Sequence, residues 1–312
     1  MKNVYLNHDG GIDDLVSLFL LLQMKNVEVI GVSVIPADCY LEPAVSASEK
    51  IISRFSENNY VQVSKSDSRG INPFPKEWRM HAFYLDALPI LNEFEQKGNN
   101  NISEPAHLDL IKKVKNADTP VTLIFIGPLT DLARALKEDP LIEENIEKLT
   151  WMGGTFLDKG NVEEPEHDGT AEWNAFWDPV SASEVWESNI EIDLVALEST
   201  RKVPLTKEVR KKWAENRQNI GLDFLGQSYA AVPPLEHFVT NSTYFLWDVL
   251  TTLSVGNENL VSKKEVQAKV ISHGPSQGKT VLDITGRKIN LVYDVNNEAF
   301  FNYMTELATN VK

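Results

Sequence analysis

The first half of the chain alternates short apolar runs with amphipathic stretches, the pattern left when strands and helices succeed one another in a largely parallel sheet. The apolar runs predict strands over residues 4–6, 27–35, 60–63, 121–126, 148–152 and 190–197. Between the first two, residues 13–23 carry Leu15, Leu18, Phe19 and Leu22 at i, i+3, i+4 and i+7, one face of a helix. Asp178-Pro179 pairs a capping residue with proline at the first helical position and starts another. Beyond Ser254 the pattern changes to strands over 266–271, 280–282 and 289–293, and an amphipathic helix over 296–307 closes the chain. The polar, Gly- and Pro-bearing stretches 66–78 and 160–170 read as loops at the mouth of a site. No Pro-, Gly- or Ser-rich linker and no internal repeat divides the chain. The expectation is therefore a single α/β domain over residues 1–312, with a mostly parallel, Rossmann-like open sheet flanked by helices.

Composition narrows the partners. With 42% hydrophobic residues the 312-residue chain can fill a sizeable core. Its net charge of −15 opposes a phosphate backbone, so a small neutral or cationic molecule is expected and nucleic acid is not. Cys39, the single cysteine, excludes an intrachain disulfide and fits a reducing compartment, so the cytoplasm is the expected location. The apolar run 15–22 is too short to span a bilayer and follows aspartates rather than a basic leader. Neither a signal peptide nor a membrane anchor is read there.

The chemistry concentrates in Asn7-His8-Asp9-Gly10-Gly11-Ile12-Asp13-Asp14, directly after the first strand and at the start of a helix, where open α/β sheets gather ligands. Asp13 and Asp14 alone could simply favour a helix N-terminus. Asp9 is not explained that way. Three carboxylates in six residues, with Gly10 and Gly11 permitting a tight turn, can present several oxygens to a hard divalent cation such as calcium.

This run resembles the D-x-D-P-G-x-D-D signature of the nucleoside hydrolase family, and further motifs follow in order. Ile126-Gly127-Pro128-Leu129-Thr130-Asp131 is similar to the family's G-P-L-T-N segment, and Met152-Gly153-Gly154 to its M-G-G turn. Gly160-Asn161 and Ala171-Glu172-Trp173-Asn174 resemble its ribose-binding loop, with Asp178-Pro179 behind. Trp247-Asp248 matches the position of a metal-binding aspartate, and Gly278-Lys279-Thr280-Val281 with the closing helix resembles the family's last elements. The likeness covers essentially the whole chain. It departs at Asn7, where the family has aspartate, and at Gly10, where it has proline.

The resemblance implies hydrolysis of the N-glycosidic bond of ribonucleosides to free base and ribose. It implies Ca2+ held by Asp9, Asp14, Asp248 and the main-chain carbonyl of Ile126, with a calcium-bound water as nucleophile and Asp9 as its general base. Asp13, Asn161, Glu172, Asn174 and main-chain groups near Met152 would then grip the ribose. Many family members have histidine before the last metal aspartate, whereas this chain has Trp247, which can stack on a flat base with Trp78 as second plate. With Asp38 in Ala37-Asp38-Cys39-Tyr40, and with Trp173, these residues resemble the purine-preferring branch, known for inosine, adenosine and guanosine and suggestive of a homodimer.

The other histidines read as structural: His81, His107, His237 and His273 show no metal-ligand spacing, and His8 should point away from Asp9 along an extended strand. His167 lies in an acidic stretch, 163–168, that reads equally as a lid or as a solvated loop. Three alternatives remain. A phosphatase of the haloacid-dehalogenase type needs a nucleophilic carboxylate where Asn7 stands. A nucleoside-binding protein without turnover leaves Asp9 without a task. Within the family, a broad or pyrimidine preference competes with the purine one.

Overall fold

In the computed structural model, which describes residues 1–56, 61–93, 101–230 and 243–311, the first apolar run becomes strand β1 (Lys2–His8). Its alternation sorts side chains between two layers: Val4 and Leu6 join one core, and Tyr5 joins the other on the opposite face. Strands β2 (Val27–Val34), β3 (Val63–Lys65) and β4 (Asn101–Pro105) extend the sheet from one edge of β1. Strands β5 (Val121–Phe125), β6 (Ile146–Met152) and β7 (Ile192–Val195) extend it from the other. A separate two-stranded piece, β8 (Pro204–Leu205) with β9 (Tyr244–Phe245), precedes β10 (Val261–Val270), β11 (Thr280–Leu282) and β12 (Arg287–Val295).

The order across the ten-stranded sheet is β11-β10-β12-β7-β6-β5-β1-β2-β3-β4. Only the pairings of β10 with β11 and with β12 are antiparallel. The expected mostly parallel α/β sheet is therefore observed. The strand expected over 60–63 begins on Tyr60, outside the described residues, and the observed strand starts at Val63.

This order places a topological switch between β1 and β5. The chain leaves β1 for β2 on one side and returns as β5 on the other, so the connections after these two strands diverge and leave a crevice at their C-terminal ends. The sequence Asp9 onward follows β1 there, and Ile126 follows β5.

Helices cover both faces. The helix Ile12–Leu22 is buried at every position from Ile12 to Leu21, more completely than a one-faced pattern implies. The helices Leu41–Phe55, Ile220–Ala230 and Trp247–Gly256 pack around it, which an all-round apolar surface permits. The opposite face is filled from the helices Ala106–Asn116, Thr130–Glu138 and Pro179–Trp186. Asp178 caps the last of these by accepting from Ser181 N at 3.1 Å, with Pro179 at its first position as expected. Among the described residues no helix is long and apolar enough to cross a membrane.

Two indoles tie this layer to the sheet and to the crevice. Trp186 Nε1 donates to Ala268 O at 2.8 Å, and Trp151 Nε1 to Gly127 O at 3.0 Å, both fully buried. Trp151→Phe keeps most of the bulk but leaves the Gly127 carbonyl without this donor. Urea unfolding is expected to show a loss of about 1–3 kcal/mol; a change below about 0.5 kcal/mol would mean the bond contributes nothing there.

Candidate active site

The crevice is a cavity of about 900 Å3. Its acidic wall begins where β1 ends. Gly10 turns the chain at φ +79°, and a Cβ there would lie 2.6 Å from Ala44 Cβ and 2.8 Å from Cys39 Cβ. Proline, held near φ −65°, cannot take this conformation. The Gly10 departure noted in the sequence is thus built into the backbone path, which brings Asp9 round to the helix that starts at Ile12.

Asp9 N donates to Asp14 Oδ1 at 3.1 Å, and Asp9 Oδ2 accepts from Asp38 N at 3.3 Å. Asp248 joins them from the first turn of the helix Trp247–Gly256. Burial first, then repulsion from Asp14 and Asp38, holds the Asp9 carboxyl well above the usual range; burial and its acidic neighbours do the same to Asp248. Asp14 is raised by burial although hydrogen bonds to Asp9 and Asp248 pull it back. Among the described residues no three His, Cys, Asp or Glu side chains already close on one point in metal-binding geometry. The chemistry of the donor set nevertheless fits a hard cation. Buried, mutually repelling carboxylates need either protons or an external positive charge.

Asp13 stands apart. Its Oδ1 accepts from the Tyr229 hydroxyl, and its Oδ2 accepts from the N–H groups of Asp248 at 2.6 Å and Val249 at 3.2 Å. Burial raises its pKa to about 7 against the pull of these donors. It does not line the cavity. This carboxylate caps the helix that carries Asp248.

The remaining expected residues meet in the cavity: Asp38, Trp78, Ile126, Met152, Asn161, Glu172, Trp173, Asn174 and Trp247 all line it with Asp9, Asp14 and Asp248. Asn174 Nδ2 reaches Met152 O at 3.1 Å and Ile126 O at 3.3 Å, bringing the two carbonyls together. Glu172 caps the short helix Trp173–Trp177, accepting from Asn174 N at 2.9 Å and from Gly154 N at 2.9 Å; burial pushes its pKa up to about 7. Asn161 Oδ1 accepts from Trp173 N at 3.2 Å, which pins the 160–170 loop to the same helix. His8 points away, its Nε2 3.1 Å from Ser48 Oγ, as strand alternation requires. His167 anchors its loop: Nδ1 accepts from Gly169 N at 3.0 Å, so Nε2 is the protonated nitrogen that donates to Gln277 O at 2.9 Å.

Aromatic rings line two parts of the mouth. Trp173 contacts Phe74 at 5.3 Å and Trp78 at 5.6 Å between ring centroids, and Trp247 meets Tyr244 edge-on at 4.7 Å and Phe245 at 6.0 Å. Phe74, Tyr244 and Phe245 were not singled out from the sequence, nor was His81. His81, read as structural from the sequence, lies in the cavity wall, almost wholly buried, and its Nε2 has no hydrogen-bond partner. Its position at the head of the helix His81–Asp86, just behind the Trp78 loop, was the available signal.

With this geometry in place, the comparisons with known proteins are specific. The family model for inosine-uridine preferring nucleoside hydrolase matches residues 4–302. A crystal structure of an inosine-uridine preferring nucleoside hydrolase from Bacillus anthracis is 59% identical, covers 100% of both chains and superposes with a TM-score of 0.95. A probable uridine nucleosidase 2 of Arabidopsis thaliana is 24% identical over 90% of this chain and 85% of its own length. A non-specific ribonucleoside hydrolase, RihC, of Escherichia coli is 27% identical over 69% of each.

Burial lowers the His81 pKa from 6.5 to about 4. The folded protein therefore binds fewer protons at this site than the unfolded chain between those values. His81 permits full stability above pH 6.5 and erodes it as pH falls toward 4, by up to about 1.4 kcal/mol per pH unit. Urea unfolding at pH 7.5, 5.5 and 4.5 is expected to show a shallower acid decline for His81→Gln than for the parent. Parallel declines would refute a neutral, buried His81.

Proposed function

Because the chain belongs to the nucleoside hydrolase family, and is thus an enzyme that hydrolyses ribonucleosides, we propose that it releases free base and ribose from purine nucleosides above all, inosine, adenosine and guanosine. The observation that carries the purine reading is the pair of aromatic walls: Trp247 at the head of its helix, beside the Asp248 carboxylate, and Trp78 with Trp173 in the same cavity. A flat, electron-rich wall favours a base that gains positive charge as it departs.

On this reading Asp9, Asp14, Asp248 and the Ile126 carbonyl hold Ca2+, which suits an all-oxygen donor set. A cation bound there supplies the positive charge that offsets their repulsion and makes a nearby water more acidic. Asp9 then receives the proton of the attacking water, the contribution of a general base being worth about 10²- to 10⁴-fold in rate. Asn161, Glu172, Asn174 and the Met152 backbone orient the ribose, and Asp38, whose N–H already holds Asp9, meets the edge of the nucleoside. Asp13 sets the position of Asp248 through the helix cap.

A second reading, turnover that also includes uridine, has its own support. The 59% identical Bacillus anthracis protein is described as inosine-uridine preferring. Incubation of purified protein with inosine, guanosine and uridine, read by base release with and without a calcium chelator, separates the two. Rapid release from the purine nucleosides, poor release from uridine and loss of both on chelation are expected. Fast uridine cleavage would sink the purine preference alone, and no release from any of the three would sink the activity.

Trp247 has a test of its own. Trp247→Ala is expected to lower kcat/KM for inosine by about 10- to 100-fold, the worth of one stacked base. It should leave an activated nitrophenyl riboside, which needs no help in leaving, much less affected. Equal losses on both substrates would remove Trp247 from the leaving-group side.

A further inference from the structure

Beneath the acidic turn lies a polar pair that the mechanism does not use. Asn7 is wholly buried in β1, and both hydrogens of its amide have acceptors: Ser33 Oγ at 2.8 Å and Asp131 Oδ2 at 3.1 Å. Its Oδ1 has no partner. The Asp131 carboxylate fixes this orientation, because the flipped amide would set an oxygen against an anion. Asp131 is itself buried and accepts on Oδ1 from Ser66 Oγ at 2.7 Å and Ser68 Oγ at 2.6 Å, with Arg134 in turn donating to Ser68 Oγ at 2.7 Å. Position 7 must therefore donate and position 131 must accept.

The place of the pair gives it consequence. Asn7 O accepts from Ile126 N at 3.0 Å, so the same residue that bonds Asp131 through its side chain bonds the Ile126 peptide through its backbone. Asp131 lies in the first turn of the helix Thr130–Glu138, five residues after Ile126, and Asn7 lies two before Asp9. The bond thus closes a short frame between the ends of β1 and β5, the two strand ends that present Asp9 and the Ile126 carbonyl to the cavity. Asn7 and Asp131 also stand where the motifs they resemble carry a carboxylate and an amide, respectively. Asp131, where the G-P-L-T-N segment ends in asparagine, is thus a further departure, and it faces Asn7: one donor and one acceptor are retained with their places exchanged.

We propose that Asn7 and Asp131 are a compensated pair of positioning residues, whose amide-to-carboxylate bond sets the separation of the β1 and β5 ends and so places Asp9 and the Ile126 carbonyl for a cation. This rests on the calcium reading above. Neither residue touches substrate; both act through the backbone they hold.

The test is a double-mutant cycle of the parent, Asn7→Asp, Asp131→Asn and the double exchange. Each protein is read by its melting temperature in chelator, by its calcium Kd from titration calorimetry, and by KM and kcat for inosine. Asn7→Asp opposes two buried carboxylates. It is expected to lower the melting temperature and to weaken calcium binding by about tenfold, within the range of couplings between residues in direct contact. Asp131→Asn should weaken it by a few-fold, and the double exchange should return to within about threefold of the parent. KM should follow the calcium Kd more closely than kcat does.

If Asn7→Asp alone fails to fold, recovery of folded protein in the double exchange supports the pair, and failure to recover overturns it. A double exchange no better than Asn7→Asp in melting temperature and in Kd overturns the proposal. Coupling in melting temperature without coupling in Kd overturns the positioning role and leaves a brace. A parent that binds no calcium refutes the calcium reading and with it the positioning role. The melting cycle, measured in chelator, then still decides whether the two residues form a pair.

Discussion

Four carboxylates, Asp9, Asp13, Asp14 and Asp248, are buried together where β1 meets the heads of two helices, and burying an ion without compensation disfavours folding by several kcal/mol. The surrounding architecture can be read as the means of holding them there. The helix Ile12–Leu22 starts inside the cluster, so it is braced by apolar contacts on every side rather than on one. Gly10 and Gly127 admit the close approach: a Cβ on Gly127 would lie 3.0 Å from Asp9 Cβ, and one on Gly10 would strike Cys39 and Ala44. Apolar burial of this extent, roughly 25 cal/mol for each Å2 removed from water, is what offsets the electrostatic strain.

The buried acids divide by what faces them. Asp13, Glu172 and Asp131 accept from backbone N–H groups, hydroxyls or an amide, and each closes a structural joint: Asp13 the helix of Asp248, Glu172 the helix of Asn174, Asp131 the frame beneath Ile126. Asp9, Asp14 and Asp248 face chiefly one another. The first three meet several donors each, whereas Asp9 and Asp14 have one backbone N–H apiece among acidic neighbours, and with Asp248 they carry an unmet demand for positive charge. That contrast sets Asp9, Asp14 and Asp248 apart from the capping acids, of which Glu172 also lines the cavity. It also explains why the capping acids sit next to these three, since a side chain is held no more firmly than the helix it stands on.

Much of this was legible in the sequence. Buried parallel strands read as continuous apolar runs, so β1, β2, β5, β6 and β7 were marked to within a few residues, and the acidic turn after β1 fell where an open sheet has its switch point. The edge strand β4, Asn-Ile-Ser-Glu-Pro, has no such run and was missed. So were the two-residue strands β8 and β9, which are too short to carry a period. Side-chain partners were less legible than elements. Asp13 bonds Tyr229, 216 residues away, and the Asp248 backbone still further along, distances over which no spacing rule reaches. His81 was read as structural because its place in the cavity wall depends on the packing of the helix His81–Asp86 against Leu41–Phe55.

The two walls of the cavity are also held in different ways. The groups of the acidic wall and beside it, Asp9, Asp14, Ile126, Met152 and Asn174, stand at strand ends or in the first turns of helices, tied by hydrogen bonds to one another and to the sheet. The aromatic walls are built differently. Phe74 and Trp78 come from the segment after β3, and Tyr244, Phe245 and Trp247 from the short β9 and the helix head beside it, with their rings in contact with one another. Ring contacts tolerate substitution, because area and edge-to-face packing can be rebuilt with another aromatic. Buried hydrogen-bonded carboxylates do not, since each loss strands a charge or a donor. On the reading proposed above, substitution in the aromatic walls is the cheaper route to a different base, while the acidic wall, which Asn7 and Asp131 are proposed to brace from below, is the costlier one to change.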